Sequence, residues 1–256
     1  MQATPTTDPF SAPPVPSGKR YDKVELVEPT GHGYLNLAAE VDRRPPWLPA
    51  SAAKRALVDD LKRRCAELEA RKAVVEARVF VARLIPPGRG AYLESRPHVH
   101  VARFDVVVHV ITKDVAAAQR LRDDEAFAAL RERVDQVASR VHTVVAHNAR
   151  RIGDVDHERD GVFLFNFFTA DDTAENLAVW EYTAGWFQQE TGLDNSTLML
   201  PAHADDSDYN VINHCRWDHW RDIIPSLVFK RSFRDYVLAS FEARHTAAIP
   251  ILYRLA

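Results

Sequence analysis

The sequence predicts an α+β fold made of two tandem ferredoxin-like βαββαβ units, and such units commonly pair their sheets face to face. The first observation is periodicity. Between residues 21 and 256, segments with alternating apolar residues are separated by segments whose apolar residues recur every three or four positions. The second is order, because strand–helix–strand–strand–helix–strand occurs twice along this stretch. The third is composition, because a charged segment at 153–160 separates the two occurrences.

The first unit is predicted over residues 21–152. Its opening strand is Tyr21–Glu28, and the following Gly- and Pro-rich stretch holds a short extra strand near Tyr34–Val41. Ser51 is the predicted N-cap of the first helix, since its hydroxyl can accept from the exposed backbone amides of a first helical turn. The remaining elements are a helix at 51–72, strands at 74–85 and 98–112, a helix at 115–139 and a strand at 141–152.

The second unit is predicted over residues 161–256. Gly192 marks the end of its first helix, because glycine readily adopts the left-handed conformation that ends many helices. Its predicted elements are strands at 162–169, 196–201, 209–218 and 249–255, with helices at 173–191 and 220–245. Residues 1–20 are rich in Pro, Thr and Ser and bury too little apolar surface to offset the entropy of ordering, so we predict a disordered tail.

Composition narrows the function classes. The formal net charge is -3 and the pI about 6.4, so no nucleic-acid partner is expected. No apolar run reaches 18 residues, so no membrane span is expected. Cys65 and Cys215 form no metal-type pair, which predicts a reduced, cytoplasmic setting. The spacing of His98 and His100 suits a metal, but no carboxylate or cysteine cluster supplies further ligands, so no metal site is predicted.

The repeated element order over residues 21–256 resembles the dimeric α+β barrel superfamily, in the form where two ferredoxin-like repeats share one chain. The resemblance rests on element order, without a matching residue motif. Members include cofactor-free monooxygenases, haem-degrading monooxygenases, chlorite dismutase-like haem enzymes and non-catalytic barrels. It implies a cavity on the side of the sheet away from the helices and a small hydrophobic or aromatic ligand. The implied cofactor is either none or haem.

One predicted strand of the first unit, 103–111, separates into an apolar face and a mixed face. The apolar face consists of Phe104, Val106, Val108 and Val110, and the mixed face of Arg103, Asp105, Val107 and His109. The face that packs on helices must be apolar, whereas the face lining a cavity can be polar. We therefore expect Asp105 and His109 to point into the cavity as catalytic candidates.

The equivalent strand of the second unit places His214 and Arg216 on one face. Matching the two strands in register puts His214 opposite His109 across the internal pseudo-twofold. Two histidines facing one cavity suit proton transfer, because imidazole titrates near neutral pH. The alternative is that each is a structural histidine satisfied by a backbone carbonyl. Arg216 is a candidate for orienting a ligand carbonyl.

Asn166 lies in an otherwise apolar strand, and a buried amide without a partner costs about 1–3 kcal/mol. Its partner is therefore either a ligand or a backbone group. In monooxygenases of the resembled superfamily an asparagine, a tryptophan and a histidine commonly form the site. That resemblance implies ligand-binding roles for Asn166 and for Trp180 or Trp186, together with His214. The aromatic stretch 180–187 also fits a core stripe or a homodimer interface.

Three functions follow from these expectations. The first is a cofactor-independent, monooxygenase-like oxidoreductase acting on an aromatic or hydrophobic substrate. The second is a non-catalytic barrel for ligand binding or assembly. The third is a haem protein whose axial ligand is His109, His214 or His245.

Overall fold

The structure is a computed structural model that describes residues 21–42, 44–46, 48–86 and 91–256, without the side chain of Ala91. The predicted tail at residues 1–20 lies outside the described residues. The strands are β1 Gly33–Glu40, β2 Val74–Leu84, β3 Val106–Thr112, β4 Arg140–Gly153, β5 Val162–Ala170, β6 Ser196–Pro201, β7 Val211–Trp217 and β8 Thr246–Leu255.

Seven α-helices accompany the strands in the described part of the chain. They are α1 Ala52–Glu69, α2 Ala91–Glu94, α3 Val115–Arg122, α4 Glu125–Asp135, α5 Thr173–Thr191, α6 Trp220–Phe229 and α7 Ala239–Ala243. A π-helical segment, Phe233–Leu238, precedes α7. The caps at Ser51 and Gly192 are those predicted: the Ser51 hydroxyl accepts from the Lys54 amide at 3.1 Å, and Gly192 has a φ of 69°.

The eight strands form one closed antiparallel barrel in the order β1-β3-β2-β8-β5-β7-β6-β4. Each half has the ferredoxin-like order, β4-β1-β3-β2 in the first repeat and β8-β5-β7-β6 in the second. The β2–β8 and β4–β6 pairings join the two halves. The chain is therefore a pseudo-dimeric α+β barrel with its helices outside, as the repeated element order predicted.

The register of the strands gives the correspondence between repeats. Asn36 on β1 lies opposite His109 on β3, and Phe165 on β5 lies opposite His214 on β7. His109 and His214 therefore occupy equivalent positions. Their side chains point into the barrel, whereas the residues before and after each histidine point outward to the helices.

The prediction of a first strand at Tyr21–Glu28 is wrong. This segment has a single bridge, between Val27 and Arg151, and the opening strand is the one predicted as a short extra. Tyr21 packs instead on the second repeat, with its ring 4.7 Å from that of Tyr236. The approach to α5 is close, because a Cβ on Gly185 would lie 1.9 Å from the Asp22 carbonyl oxygen.

The single helix predicted over 115–139 is two helices, since Asp124 interrupts it and caps α4 by accepting from the Ala126 amide at 2.8 Å. The helix predicted over 220–245 is similarly divided into α6, the π-helical segment and α7. The segment between the repeats differs from the predicted surface turn in one residue. His157 is 6% exposed and inserts its ring into the end of the barrel.

Candidate functional site

An apolar cavity lies between the sheet and the helices of the second repeat, and we call it the sheet–helix pocket. Its volume is about 120 Å³. The outward faces of β5, β7 and β8 form its floor, and α5, α6, the π-helical segment and α7 cover it. The walls that bear on its chemistry are Asn166, Trp180, Thr183, Phe187, Asn213 and Cys215.

Four polar side chains interrupt the apolar lining of the sheet–helix pocket: Asn166, Thr183, Asn213 and Cys215. Three have protein partners. Thr183 donates to its own helix, at the Val179 carbonyl (2.9 Å). The Asn213 carbonyl oxygen accepts from the Ser196 hydroxyl at 2.6 Å, and its amide nitrogen lies 3.9 Å from the Cys215 sulfur.

Asn166 is the exception. The residue is 9% exposed, and its Oδ1 is buried without a hydrogen-bond partner among the described residues. It lies opposite Asn213 in the β5–β7 register, so two amides stand side by side on one wall. An unpaired buried amide is costly in an apolar environment, and a ligand in the pocket would supply a partner.

Aromatic side chains flank these amides, but they are not all the ones expected. Trp180 and Phe187 line the pocket. Trp186, the predicted ligand-binding tryptophan, does not line it. Its side chain is 0% exposed, and its indole nitrogen donates to the Ser232 hydroxyl at 3.1 Å. Most side chains of the stretch 180–187 are buried within this chain's own core. The stretch therefore gives no separate support for a homodimer, which stays a prediction.

The barrel interior holds the two predicted histidines. The rings of His109 and His214 lie 5.2 Å apart, centroid to centroid. Burial, followed by the neighbouring His157, holds the pKa values of both well below the usual histidine value. The space around them is filled by aromatic rings, with Phe165 stacked at 4.0 Å on His214. The resemblance implied a cavity on this side of the sheet. That expectation is wrong, because packed side chains fill the barrel interior.

Asp105 does not join the histidines, contrary to prediction. β3 begins only at Val106, and Phe104 before it packs inside the barrel, so the alternation of faces breaks at this point. The Asp105 carboxylate instead accepts from Lys54 at 2.7 Å. It also accepts from the backbone amide of Val41 at 2.6 Å, which ties α1 to the end of β1.

Arg216 shares the inner face of β7 with His214, but its guanidinium binds groups at the end of the barrel. Its guanidinium donates to Asp218 at 2.8 Å and to the carbonyl of Asp160, and it lies 5.9 Å from the Phe163 ring. Asn166 faces the opposite side of the sheet. The predicted grouping of Asn166 with the histidines and Arg216 is therefore wrong.

The sheet–helix pocket does not fit a haem. Its described lining contains no histidine and no Lys or Arg to pair with propionates. The three predicted axial ligands are elsewhere. His109 and His214 lie in the packed barrel, and the His245 side chain is 71% exposed. Cys215 is the remaining soft donor, and burial raises the pKa of its thiol, which keeps it protonated.

Sequence reasoning overlooked Asn213 and His157. A signal for Asn213 was present, because strand parity places it with Cys215 and Trp217 on the outward face. No signal marked His157, which stands in a run of charged residues typical of a solvated turn. Among the described residues, no group of three or more His, Cys, Asp or Glu side chains is arranged to hold a metal ion. No described helix is long and apolar enough to cross a bilayer.

Comparison with known proteins gives the fold. No protein-family model and no curated protein matches the chain. An anthrone oxidase-like protein is 11% identical, with a TM-score of 0.62 over 91% of this chain and 94% of that one. A putative monooxygenase from Fusobacterium nucleatum is 9% identical, with a TM-score of 0.54 over 88% and 92%. The chain therefore has the dimeric α+β barrel fold in its tandem-repeat, single-chain form.

Proposed function

We propose that this protein binds a hydrophobic, aromatic small molecule in the sheet–helix pocket and oxidises it with molecular oxygen. The observation that carries the proposal is the unpartnered Oδ1 of Asn166 in an apolar, aromatic-lined cavity. A few convergent polar groups in an apolar cleft are the usual make-up of a small-molecule site. The likeness in fold to proteins described as anthrone oxidase-like and monooxygenase agrees with this choice.

Each part of the pocket has a distinct role in the proposal. Trp180 and Phe187 contact the faces and edges of the ligand rings, as aromatic pairs prefer. Asn166 presents its unpartnered Oδ1 as an acceptor for a ligand hydroxyl and its amide nitrogen as a donor for a ligand carbonyl. Its N–H groups also stabilise the oxyanion that forms when the ligand ionises, and such a bond is stronger in a water-excluded site.

The chemistry must proceed without a base in the pocket. The one titratable group in the described lining is the Cys215 thiol, which burial keeps protonated. The substrate is therefore one whose own acidity supplies the anion, such as a ring methylene conjugated to a carbonyl. Its anion gives electrons to dioxygen. Two C–H bonds break, a C=O bond forms, and the second oxygen atom leaves as water.

A non-catalytic ligand-binding role is the second candidate. The absence of an acid–base group from the described lining favours it. His109 and His214 cannot act as acid or base on a ligand in this pocket, because both side chains lie on the other face of the sheet. The two candidates share one ligand site and differ only in whether dioxygen is consumed.

The test uses anthrone as the probe, with tryptophan fluorescence for binding and an oxygen electrode for turnover. We expect saturable quenching and oxygen uptake above the spontaneous rate. Asn166→Leu should weaken binding about tenfold or more, since one hydrogen bond to a charged group is lost. Leu37→Val, in the helix-packed face of the first repeat, is the matched control and should leave both unchanged.

The possible outcomes separate the candidates. Binding that depends on Asn166 without oxygen uptake supports the non-catalytic role. If neither the wild type nor the control variant quenches with anthrone or with a naphthalene sulfonate dye, the pocket is not a ligand site.

A further inference from the structure

A chain of hydrogen bonds runs from the surface into the end of the barrel. Glu76 Oε2 lies 2.8 Å from His157 Nδ1. His157 Nε2 lies 2.8 Å from His214 Nε2, and His214 Nδ1 lies 2.9 Å from the Leu164 carbonyl oxygen. The His157 and His214 ring centroids are 5.1 Å apart, so the rings meet tip to tip, as in a direct N–H···N bond.

Counting hydrogens shows that this chain requires an extra proton. The Leu164 carbonyl can only accept, so His214 Nδ1 carries a hydrogen and its Nε2 is bare when the ring is neutral. A neutral His157 has one N–H for two acceptors, the Glu76 carboxylate and that bare nitrogen. At one of the two contacts, a lone pair on a His157 nitrogen would then face a lone pair on its neighbour across 2.8 Å, with no hydrogen between them in a buried site. A single added proton satisfies both contacts.

The surroundings place that proton on His157. Glu76 Oε1 also forms an ion pair with Arg78 Nε at 3.1 Å. Burial disfavours charge on His214, whose ring stacks on Phe165. His157 alone lies between a carboxylate and a hydrogen-bond acceptor, and its side chain is 2% exposed. The arrangement is thus an imidazolium paired with one carboxylate.

This proton has a mechanical consequence. The chain ends at a backbone carbonyl of β5, so it offers no onward route for proton transfer. His157 belongs instead to the linker between the repeats. We propose that the proton on His157 acts as a latch that holds linker residues 154–160 in the end of the barrel, and that its loss at rising pH releases the linker.

Other groups at the barrel end set the background for this titration. The titratable and charged side chains around His157 are Glu76 and Arg78 on β2, His109 on β3, and His214 and Arg216 on β7. The linker itself carries Asp154, Asp156, Glu158, Arg159 and Asp160, and Arg151 on β4 and Arg254 on β8 pair with it. Arg78 holds Glu158 at 2.8 Å, and Arg216 holds the Asp160 carbonyl. These contacts do not involve the His157 ring, so they hold the linker independently of the proton in the Glu76–His157–His214 chain.

The test follows the intact wild-type protein over pH 5 to 9. Histidine ¹⁵N NMR should show doubly protonated His157 at the acid end, beside neutral His109 and His214 with hydrogen on Nδ1. Amide exchange across 154–160 should rise over the range in which His157 loses its proton. Beyond that midpoint the opening equilibrium should increase about tenfold per pH unit, after the intrinsic pH dependence is removed. The proposal is overturned if His157 stays neutral over the whole pH range. It is also overturned if amide exchange across 154–160 does not change as His157 loses its proton.

A variant separates the latch from general packing. Glu76→Gln removes the paired charge but keeps an oxygen at the same place, so the midpoint of proton loss from His157 should move to lower pH. Linker release should shift with it. His142→Gln alters another buried histidine of the barrel that bonds Ser207 rather than this chain, and it should change neither. An unshifted midpoint in Glu76→Gln contradicts the latch even if the wild-type linker opens with pH.

Discussion

The two repeats share one barrel and differ in the layer between sheet and helices. In the second repeat the outward residues flanking His214 in register are Asn166 and Asn213, which lie opposite one another. At the equivalent positions of the first repeat stand Leu37 and Val108, likewise paired. The second repeat thus has a pair of amides where the first has a pair of aliphatic side chains. The amides line a cavity, whereas the aliphatic pair is packed in a closed core. The comparison teaches that this fold can place a site in one repeat while the other remains packed.

The helices follow the same division. In the first repeat α1 is a continuous helix, and its Leu57 and Leu61 are 0% exposed. In the second repeat the cover contains Pro225 inside α6 and then a π-helical segment at 233–238. Such irregular turns often occur at functional sites, since they sacrifice regular packing. Aromatic side chains span the space that aliphatic ones fill in the first repeat.

The largest effect is expected when the first repeat is given the polar wall of the second. Leu37→Asn should lower the free energy of unfolding by about 3–5 kcal/mol, because it removes packed aliphatic volume and buries an amide without a partner. Denaturant titration measures it. A loss below about 1 kcal/mol would mean that the first layer is as adaptable as the second.

The next effect concerns a barrel position where the repeats differ, His142 in the first and Ile249 in the second. Burial lowers the pKa of His142 from 6.5 to about 4. The unfolded chain therefore binds a proton that the folded chain excludes, so stability falls as the pH drops from about 6.5 to about 4. The difference amounts to about 3 kcal/mol.

His142→Ile should remove that portion of the acid sensitivity. Unfolding midpoints measured at pH 7 and pH 4 should lie closer together in the variant than in the wild type. The variant also loses the bond to Ser207, so its stability at pH 7 is the reference for the comparison. Equal acid sensitivity in both proteins would show that another group is responsible.

Much of the fold was predictable because it follows from periodicity, which one sequence carries. Element order and the Ser51 cap follow from spacing along single elements, and the mutual approach of His109 and His214 follows from matching two such elements across the repeat. The failures depend on more than one element. Asp105 was misplaced because alternation breaks where Phe104 enters the barrel, before β3 starts. The cavity was assigned to the wrong side of the sheet because filling a barrel depends on the volumes contributed by all eight strands.

The smallest effect distinguishes the two amides of the second repeat. Asn166 Oδ1 is buried without a partner, so Asn166→Leu removes an unmet polar group and should raise the free energy of unfolding of the ligand-free protein by about 1–2 kcal/mol. Asn213→Val, the matched change opposite it, should instead lower stability by about 1–2 kcal/mol. It takes away the nearer acceptor of the buried Ser196 hydroxyl, Asn213 Oδ1 at 2.6 Å, and leaves only the His214 carbonyl oxygen at 3.4 Å. Both substitutions reproduce the residues of the first repeat, so a packing explanation predicts the same sign for both. Opposite signs in denaturant titrations would show that Asn166 is maintained at a cost to stability, as expected for a ligand-binding residue. A loss of stability in Asn166→Leu would mean that the amide already has a partner within the protein, and the comparison between the repeats would then rest on packing alone.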